Sequence, residues 1–404
     1  MKSQYNSSYS TNTQKKLAFQ FIILLGIVSL FGDITYEGAR SIIGPYLAVL
    51  GARASIVGLV VGLGEFIGYA LRLISGYLAD RTERYWLMTI IGYGFILSVP
   101  LLAFAGYWQF AATLIISERM GKAIRTPARD AILSHATKHV GRGWGFGIHE
   151  ALDQVGAISG PLLFSAVFLL KGGYREGFTI LWIPALLTLA ILTIARTKVP
   201  SPKKLEAPVG TSGQNIKGKY ILPRIFWFYT LFTILSVAGF ANFQLISYHF
   251  KVQSVVSDIQ IPIFYAIAMG VDMLVALIIG KTYDKIGLIL LMTIPLLTLP
   301  IPLFAFSYSY NLAVISVILC GAVMGIHETI MRASIADLAP IEHRGFAYGI
   351  FNTAYGASWL CGSTLMGVLY ELSINYLILF VIGMEILSVL VFFLLKKLII
   401  ANDD

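Results

Sequence analysis

Charged residues are scarce here: Asp, Glu, Lys and Arg make up 13% of the 404 residues. A soluble domain carries about 25%, so a water-facing globular surface is excluded. Cysteine is scarcer, with Cys320 and Cys361 alone. A disulfide framework and a thiolate metal centre are thereby excluded. Both cysteines fall in apolar stretches, where a thiol is expected to be an inert packing residue. The alternation of β-barrel strands is absent, as are a nucleotide-binding glycine loop, metal-hydrolase spacing and a catalytic constellation. No enzymatic activity and no cofactor are expected. No small-residue cleavage site follows the first apolar stretch, so residues 1–16, rich in Ser, Thr, Asn and Gln, read as a retained cytoplasmic tail.

What is present is apolar: 57% of residues are hydrophobic and the mean hydropathy is +0.77. Runs of about 20 residues, the length of helix that crosses about 30 Å of hydrocarbon, recur along the chain. They give twelve expected spans at 17–47, 54–79, 85–107, 109–136, 143–170, 177–196, 224–250, 258–281, 287–308, 311–338, 345–371 and 375–396. The fold class is an all-α membrane protein. Alternate turns hold the positive charge: Arg81 and Arg84; Lys138 and Arg142; Lys198, Lys203, Lys204, Lys217 and Lys219; Lys281 and Lys285; Arg344; Lys396 and Lys397. By the positive-inside rule both termini are expected in the cytoplasm. Topology also accounts for the +9 net charge, so no nucleic-acid or acidic partner is needed.

The longest polar segment, Thr197 to Tyr220, contains Pro200, Pro202 and Pro208, divides the chain almost in half and falls in a linker over 197–223. It reads as a cytoplasmic linker between bundles at 17–196 and 224–397, with 398–404 as a C-terminal tail. The halves echo one another. "GYLADRTERYW" from Gly76 matches "GKTYDKIGLIL" from Gly280, and "GRGWGFGIHEALDQVGAISGP" from Gly141 matches "HRGFAYGIFNTAYGASWLCGS" from His343. Duplicated six-helix halves are a transporter architecture.

On these residues the chain resembles the major facilitator superfamily from Lys16 to Lys397. The family's loop between helices two and three reads Gly-x-x-x-Asp-Arg-x-Gly-Arg-Arg. Gly76, Asp80, Arg81 and Arg84 match it, while Glu83 replaces the second glycine and Tyr85 the last basic residue. A degenerate copy stands at Gly280, Asp284, Lys285 and Gly287. The stretch "GKAIRTPARDA" is similar to a prokaryotic subgroup many of whose members are called efflux permeases. Gly156 to Pro161 resembles the antiporter motif without its following glycines. The resemblance implies two pseudo-symmetric six-helix bundles, alternating access, an inner or plasma membrane location and a monomer. It also implies that helices one, four, seven and ten line a central cavity. Asp80 would cap a neighbouring helix or pair with a base on helix four or eleven, with Asp284 as its counterpart, and Gly76 would permit close helix approach. Gly76, Asp80, Arg81, Arg84, Arg129 and Asp284 would thus set the conformational equilibrium.

Charge at bilayer depth costs a few kcal/mol on insertion scales, so it should face protein or water. Helices one, two, four, five and ten hold nearly all of it, Arg332 of helix ten included, and helix twelve holds only Glu385. Asp33, Glu37 and Arg40 share one helical face by their spacing, as do Glu118, Lys122, Arg125 and Arg129. Two readings of this cluster compete. In one, Arg125 and Arg129 neutralise Asp33, Glu150 or Asp153 and hold the bundle together. In the other the cluster is functional: a dehydrated carboxylate retains its proton more tightly and a nearby arginine loosens it, so the group can load on one side and release on the other. Asp33, Glu37, Glu65, Glu150 and Asp153 are the proton-coupling candidates. Arg40, Lys122, Arg125, Tyr248, His327 and Glu328 are the substrate-binding ones. Asn242, Gln244 and His249 could add to the cavity wall. His149–Glu150 and His327–Glu328 are neighbours on helices and point about 100° apart, so no metal site is expected.

The expected function is a secondary active transporter that exports a small organic solute in exchange for protons. The alternative is uptake of an anionic metabolite, for which Lys122 and Arg125 argue. Divalent metal or lipid transport, or a non-transporting sensor, would keep the same fold. The expected partners are a small-molecule or ion substrate and the lipid bilayer.

Overall fold

The computed structural model describes the backbone of residues 2–137, 140–202, 222–338 and 344–403, and their side chains except 2–14, 142, 143, 332, 333, 336, 337, 344–346 and 399–403. Most of the proposed linker and the side chains of Lys138, Arg142, Arg332 and Arg344 lie outside this set, whereas the backbone of the expected tails 1–16 and 398–404 continues α1 from Lys2 and α17 to Asp403. The first part of the chain forms α1 (Lys2–Arg40), α2 (Ile43–Val49), α3 (Ala54–Thr82), α4 (Tyr85–Gly94), α5 (Ser98–Leu101), α6 (Trp108–Thr137), α7 (Arg142–Leu169), α8 (Tyr174–Ile180) and α9 (Trp182–Lys198). The second forms α10 (Arg224–Gly239), α11 (Phe243–Val252), α12 (Gln260–Ile286), α13 (Thr293–Thr298), α14 (Pro300–Ala305), α15 (Tyr310–Leu338), α16 (Arg344–Leu372) and α17 (Ile374–Asp403). Short 3-10 turns at Phe95–Leu97, Leu102–Phe104 and Gly287–Met292 join the fragments. Among the described residues there is no strand, and nine stretches are long and apolar enough to cross a membrane.

Proline decides where several helices bend. Its ring collides with the carbonyl four residues back and it lacks the N–H that would pair there. The expected span 17–47 is accordingly two helices, with a turn at Ser41–Ile42 ahead of Pro45. Pro127 sits inside α6 and frees the Ala123 carbonyl, which accepts the Ser75 hydroxyl of α3 at 2.7 Å. The carbonyl that Pro127 leaves unpaired is thereby tied to a neighbouring helix. A further break at residues 240–242 separates α10 from α11, and Asn242 caps α11 by accepting the Leu245 N–H at 2.9 Å.

Without a hydrophobic driving force between helices in lipid, close backbone approach is the main source of association, and small residues permit it. A side chain at Gly160 of α7 would run into Gly38 of α1, and one at Gly62 of α3 would meet the Leu360 backbone of α16 at 2.8 Å. The first contact lies in the α1–α7 interface inside the first part; the second lies in the α3–α16 interface, which with α7–α12, α2–α11 and α3–α11 joins the two parts of the chain. Gly76 was expected to serve the same purpose, but a Cβ there would meet Pro127 at an ordinary 3.6 Å. Cys361, expected to be a core residue, is exposed, whereas Cys320 is buried.

Polar bonds close one end of the molecule. The Tyr248 hydroxyl donates to the Ala52 carbonyl at 3.3 Å, and Ser55 N–H donates to Glu371 at 2.7 Å. Asp258 accepts from Lys251 at 2.6 Å and from the Tyr174 hydroxyl at 3.3 Å. Each bond except Lys251–Asp258 ties the first part of the chain to the second.

Candidate functional site

Between the two parts lies a cavity of about 540 Å³, reaching from Gln244 near the closed end to Asp130 and Phe146 near the 137–142 turn. Four elements of the first part supply its charge. From α1 come Asp33, Tyr36 and Arg40, from α3 Glu65 and Arg72, from α6 Arg119, Lys122, Arg125, Arg129 and Asp130, and from α7 His149, Glu150 and Asp153. The second part supplies mostly rings, including Phe240, Tyr265, Tyr355 and Trp359, with His327 and Glu328 on α15.

The cations are largely committed to carboxylates. Glu65 accepts from Arg40 at 2.9 Å and lies 3.2 Å from Arg119, with all three side chains at most 14% exposed. Arg125 pairs with Glu118 at 3.5 Å, although neither facing atom reaches hydrogen-bond geometry, and lies over the Tyr93 ring at 4.8 Å. Arg129 donates to Asp130 at 3.0 Å and to Ser29 at 2.9 Å. The expected neutralisation of Asp33, Glu150 or Asp153 by Arg125 and Arg129 is therefore not what forms. Nearer acids on α6 itself take both arginines.

Tyr36 is central, and its role was not read from the sequence. Its ring is faced by Lys122 Nζ at 3.9 Å, Arg119 at 4.7 Å and Arg40 at 5.8 Å. An aromatic face attracts cations, most strongly where water is excluded, so one ring gathers three positive groups that would otherwise repel. Its position three residues after Asp33 and four before Arg40 was the available signal. Tyr265 of α12 was missed as well: its hydroxyl donates to Glu37 at 2.6 Å. Glu37 also lies 3.7 Å from Arg40 and 4.0 Å from Lys122. It is buried behind the cavity surface and links α1 to α12, instead of lining the cavity as expected.

Asp33 has no hydrogen bond or ion pair among the described residues. Asp153 has an oxygen, and His149 and His327 a ring nitrogen, that are buried without a partner. Glu150 holds only Gln154 at 3.5 Å, and Glu328 is exposed to the cavity. Among the described residues, no group of three or more His, Cys, Asp or Glu could hold a metal ion.

Other candidates fall elsewhere. Tyr248 is engaged at the closed end, and His249 bonds the Tyr370 hydroxyl at 2.9 Å. Asn242 spends its amide N–H on Ser363 at 2.9 Å. Among the described residues, which leave out the Lys138, Arg142, Arg332 and Arg344 side chains, Asp80 meets no base and caps no helix; the Tyr85 hydroxyl reaches it at 3.4 Å, and Arg81 reaches Tyr77 at 3.4 Å. Arg84 ends the loop with its N–H on Thr82, and Asp284 is exposed. Glu83, standing where the motif has glycine, has φ 56°, and Gly287 of the second copy has φ 62°. Both loops make the left-handed turn that glycine favours.

Comparison with known proteins agrees with this geometry. The family model described as Major Facilitator Superfamily matches residues 23–328 and 288–399. An uncharacterised protein of Mycobacterium tuberculosis (strain H37Rv) is 41% identical over 382 residues, covering 94% of this chain and 93% of its own. An uncharacterised MFS-type transporter of Methanocaldococcus jannaschii is 29% identical over 368 residues, covering 87% and 89%. Among solved structures, a POT family transporter in complex with 5-aminolevulinic acid has a TM-score of 0.74 at 13% identity, over 93% of this chain and 95% of that one. A point mutant of the nucleoside transporter NupG has a TM-score of 0.73 at 14% identity, over 93% and 99%.

Proposed function

Since the chain belongs to the major facilitator superfamily, and is thus a multi-pass membrane transporter and not an enzyme, we propose that it exports a small organic cation in exchange for protons. The observation that carries this reading is the uneven pairing in the cavity. Arg40, Arg119, Arg125 and Arg129 are held by acids, while Asp33, Glu150, Asp153 and Glu328 have no ion-pair partner among the described residues. Free carboxylates beside Phe240, Tyr265, Tyr355 and Trp359 suit a solute with a positive charge and an apolar body. Protons and that solute would compete for the same acids, which is sufficient for exchange. Asp33, at the centre of the cluster, is assigned the coupling role with Asp153 and Glu150; Glu65 serves to hold Arg40 and Arg119.

Twelve crossings follow from dividing the 46-residue stretch Gln260–Ala305 at Gly287 and adding α6 and α16, of 30 and 29 residues, to the nine apolar stretches. Six belong to 17–196 and six to 224–397, with both termini cytoplasmic and the protein a monomer of the inner or plasma membrane. The Tyr265–Glu37 bond joins the two bundles, so it would break as they rock. Gly76, Asp80, Arg81, Arg84 and Asp284 would act on the same equilibrium from the loops.

A second reading, uptake of an anionic metabolite, has its own support. Lys122 is held only at 4.0 Å from Glu37 and by the Tyr36 ring. The two readings separate by ligand-induced thermal stabilisation of the detergent-purified protein with organic cations and organic anions at pH 5.5 and 7.5. A ligand at 100 times its dissociation constant stabilises by about 2.7 kcal/mol. Cation hits that weaken at pH 5.5 and vanish in Asp33→Asn support export. Anion hits that vanish in Lys122→Ala, with cations inert, establish the second reading instead.

A further inference from the structure

Glu385 belongs to none of this. It lies on α17, is 0% exposed, and its Oε1 has no hydrogen-bond partner. Its Oε2 accepts from Ser388 at 3.2 Å, a hydroxyl that also bonds the Glu385 carbonyl at 2.8 Å. The carboxylate packs on Gly239, where a Cβ would come within 2.8 Å of Oε1. Gly239 is the last residue of α10, at the break before α11. The carbonyl end of a helix carries partial negative charge, so this is a poor place for an unaccompanied carboxylate.

Two further buried hydroxyls, on the helices that pack with α17, have no partner among the described residues. Ser236 on α10 is 0% exposed and its hydroxyl has no partner, although Thr230 and Thr233 of the same helix bond the carbonyls four residues back at 2.8 and 3.1 Å. Thr298, the last residue of α13, is likewise 0% exposed with no partner for its hydroxyl. α10, α13 and α17 pack against one another. Gly239 lies against Glu385 and Phe232 against Phe392, so α10 and α17 run antiparallel and Ser236 stands level with the turn of α17 that carries Ser388. Depth agrees: at about 1.5 Å per residue Ser236 lies about 18 Å from Arg224, and Glu385 about 16 Å from Lys396.

Among the described residues no charged side chain pairs with Glu385; on α17 itself Tyr376 and Lys396 stand 9 and 11 positions away, with Lys397 beyond. α10 carries Arg224 at its far end and Tyr229, and α13, α14 and the Gly287–Met292 turn carry no titratable group. The described titratable groups of α16 are Tyr348, Tyr355, Cys361, Tyr370 and Glu371, the last bonded to Ser55 at the closed end. An ionised carboxylate buried without a counter-charge costs several kcal/mol, so a positive charge has to accompany it.

We propose that Glu385, Ser236, Ser388 and Thr298 form an enclosed site for one monovalent cation, a proton or a sodium-sized ion, separate from the cavity. A proton occupies the carboxyl at low pH, and where it leaves, hydroxyls and carboxylate offer the oxygen ligands that a hard cation takes. The site rests on the break between α10 and α11, so its occupancy bears on how α11 seats against α2 at the closed end.

The test is thermal unfolding of the full chain in detergent at pH 5.5 and 8.0, in sodium chloride or choline chloride of equal strength, for wild type, Glu385→Gln and Ser236→Ala. Responses are read as differences between wild type and variant, since cavity acids titrate in all three. Sodium is expected to raise the wild-type Tm by about 3 °C at pH 8.0 and less at pH 5.5, with the rise lost in Glu385→Gln and weakened in Ser236→Ala. If acid alone stabilises, and Glu385→Gln removes that response, the occupant is a proton and the site stands. If Glu385→Gln fails to fold, Ser236→Ala decides by the same comparison. Variants that keep the wild-type response to both ions, or a wild type indifferent to both, overturn the proposal.

Discussion

Glu65→Gln withdraws one negative charge from between two guanidiniums. Arg40 is 2.9 Å away and Arg119 is 3.2 Å away, and both side chains are at most 14% exposed. Removing one partner of a buried pair costs about 3–5 kcal/mol, because the charge left behind has lost its water without compensation. Arg40 keeps Glu37 at 3.7 Å and Arg119 keeps Glu118 at 4.0 Å, which places the loss at the lower end, about 3 kcal/mol. With unfolding entropy near 2.1 cal/mol/K per residue, a six-helix bundle of about 180 residues changes by about 0.4 kcal/mol per degree. The expected fall in Tm is therefore about 8 °C, read by tryptophan fluorescence of the purified protein. Glu150→Gln is the control, since Glu150 is exposed to the cavity and holds only Gln154 at 3.5 Å. Its Tm should stay within about 2 °C of wild type. The reasoning fails if Glu65→Gln is equally silent, or if the control falls as far.

Three other outcomes follow from particular contacts. Tyr265→Phe removes the hydroxyl that joins α12 to Glu37 at 2.6 Å; a bond to a charged group contributes about 1.5–3 kcal/mol, so a cysteine pair spanning the closed end should cross-link more slowly in this variant. Gly160→Val drives a side chain into the Gly38 backbone and should abolish the monodisperse peak in size-exclusion chromatography, whereas Gly68→Ala, which meets nothing within 4 Å, should retain it. Glu83→Gly relaxes a left-handed residue at φ 56° and should raise Tm by about 1–2 °C, corresponding to about 0.5–1 kcal/mol.

Several helix limits were legible to within a few residues because apolar runs and their punctuation are local properties, although α1 starts at Lys2 where 17 was expected, and spans such as 85–107 and 287–308 are broken into shorter elements. The expected 54–79 is Ala54–Thr82, and 311–338 is Tyr310–Leu338. The common face of Asp33 and Arg40 was legible for the same reason, since helical spacing alone places them together. Partner choice was not. Arg125 could have met Asp33 on α1 or Glu118 two turns away on its own helix, and spacing alone could not say that it takes Glu118, at 3.5 Å. Tyr248 and Asn242 were misplaced because the helix breaks at 240–242, where Asn242 becomes the cap of α11 and Tyr248 falls on the restarted helix. Tyr265 sits 228 positions from Glu37, and a tyrosine in an apolar run carries no sign of so distant a partner.

Exchange coupled to protons is the central claim, and the most direct measurement uses purified protein in liposomes containing a pH dye and loaded with the organic cation that gives the largest thermal shift. In wild type, outward movement of that cation should bring protons in, and Asp33→Asn should abolish the proton signal while cation-for-cation exchange continues. A proton signal that survives Asp33→Asn unchanged, or cation efflux with no proton movement in wild type, would contradict it.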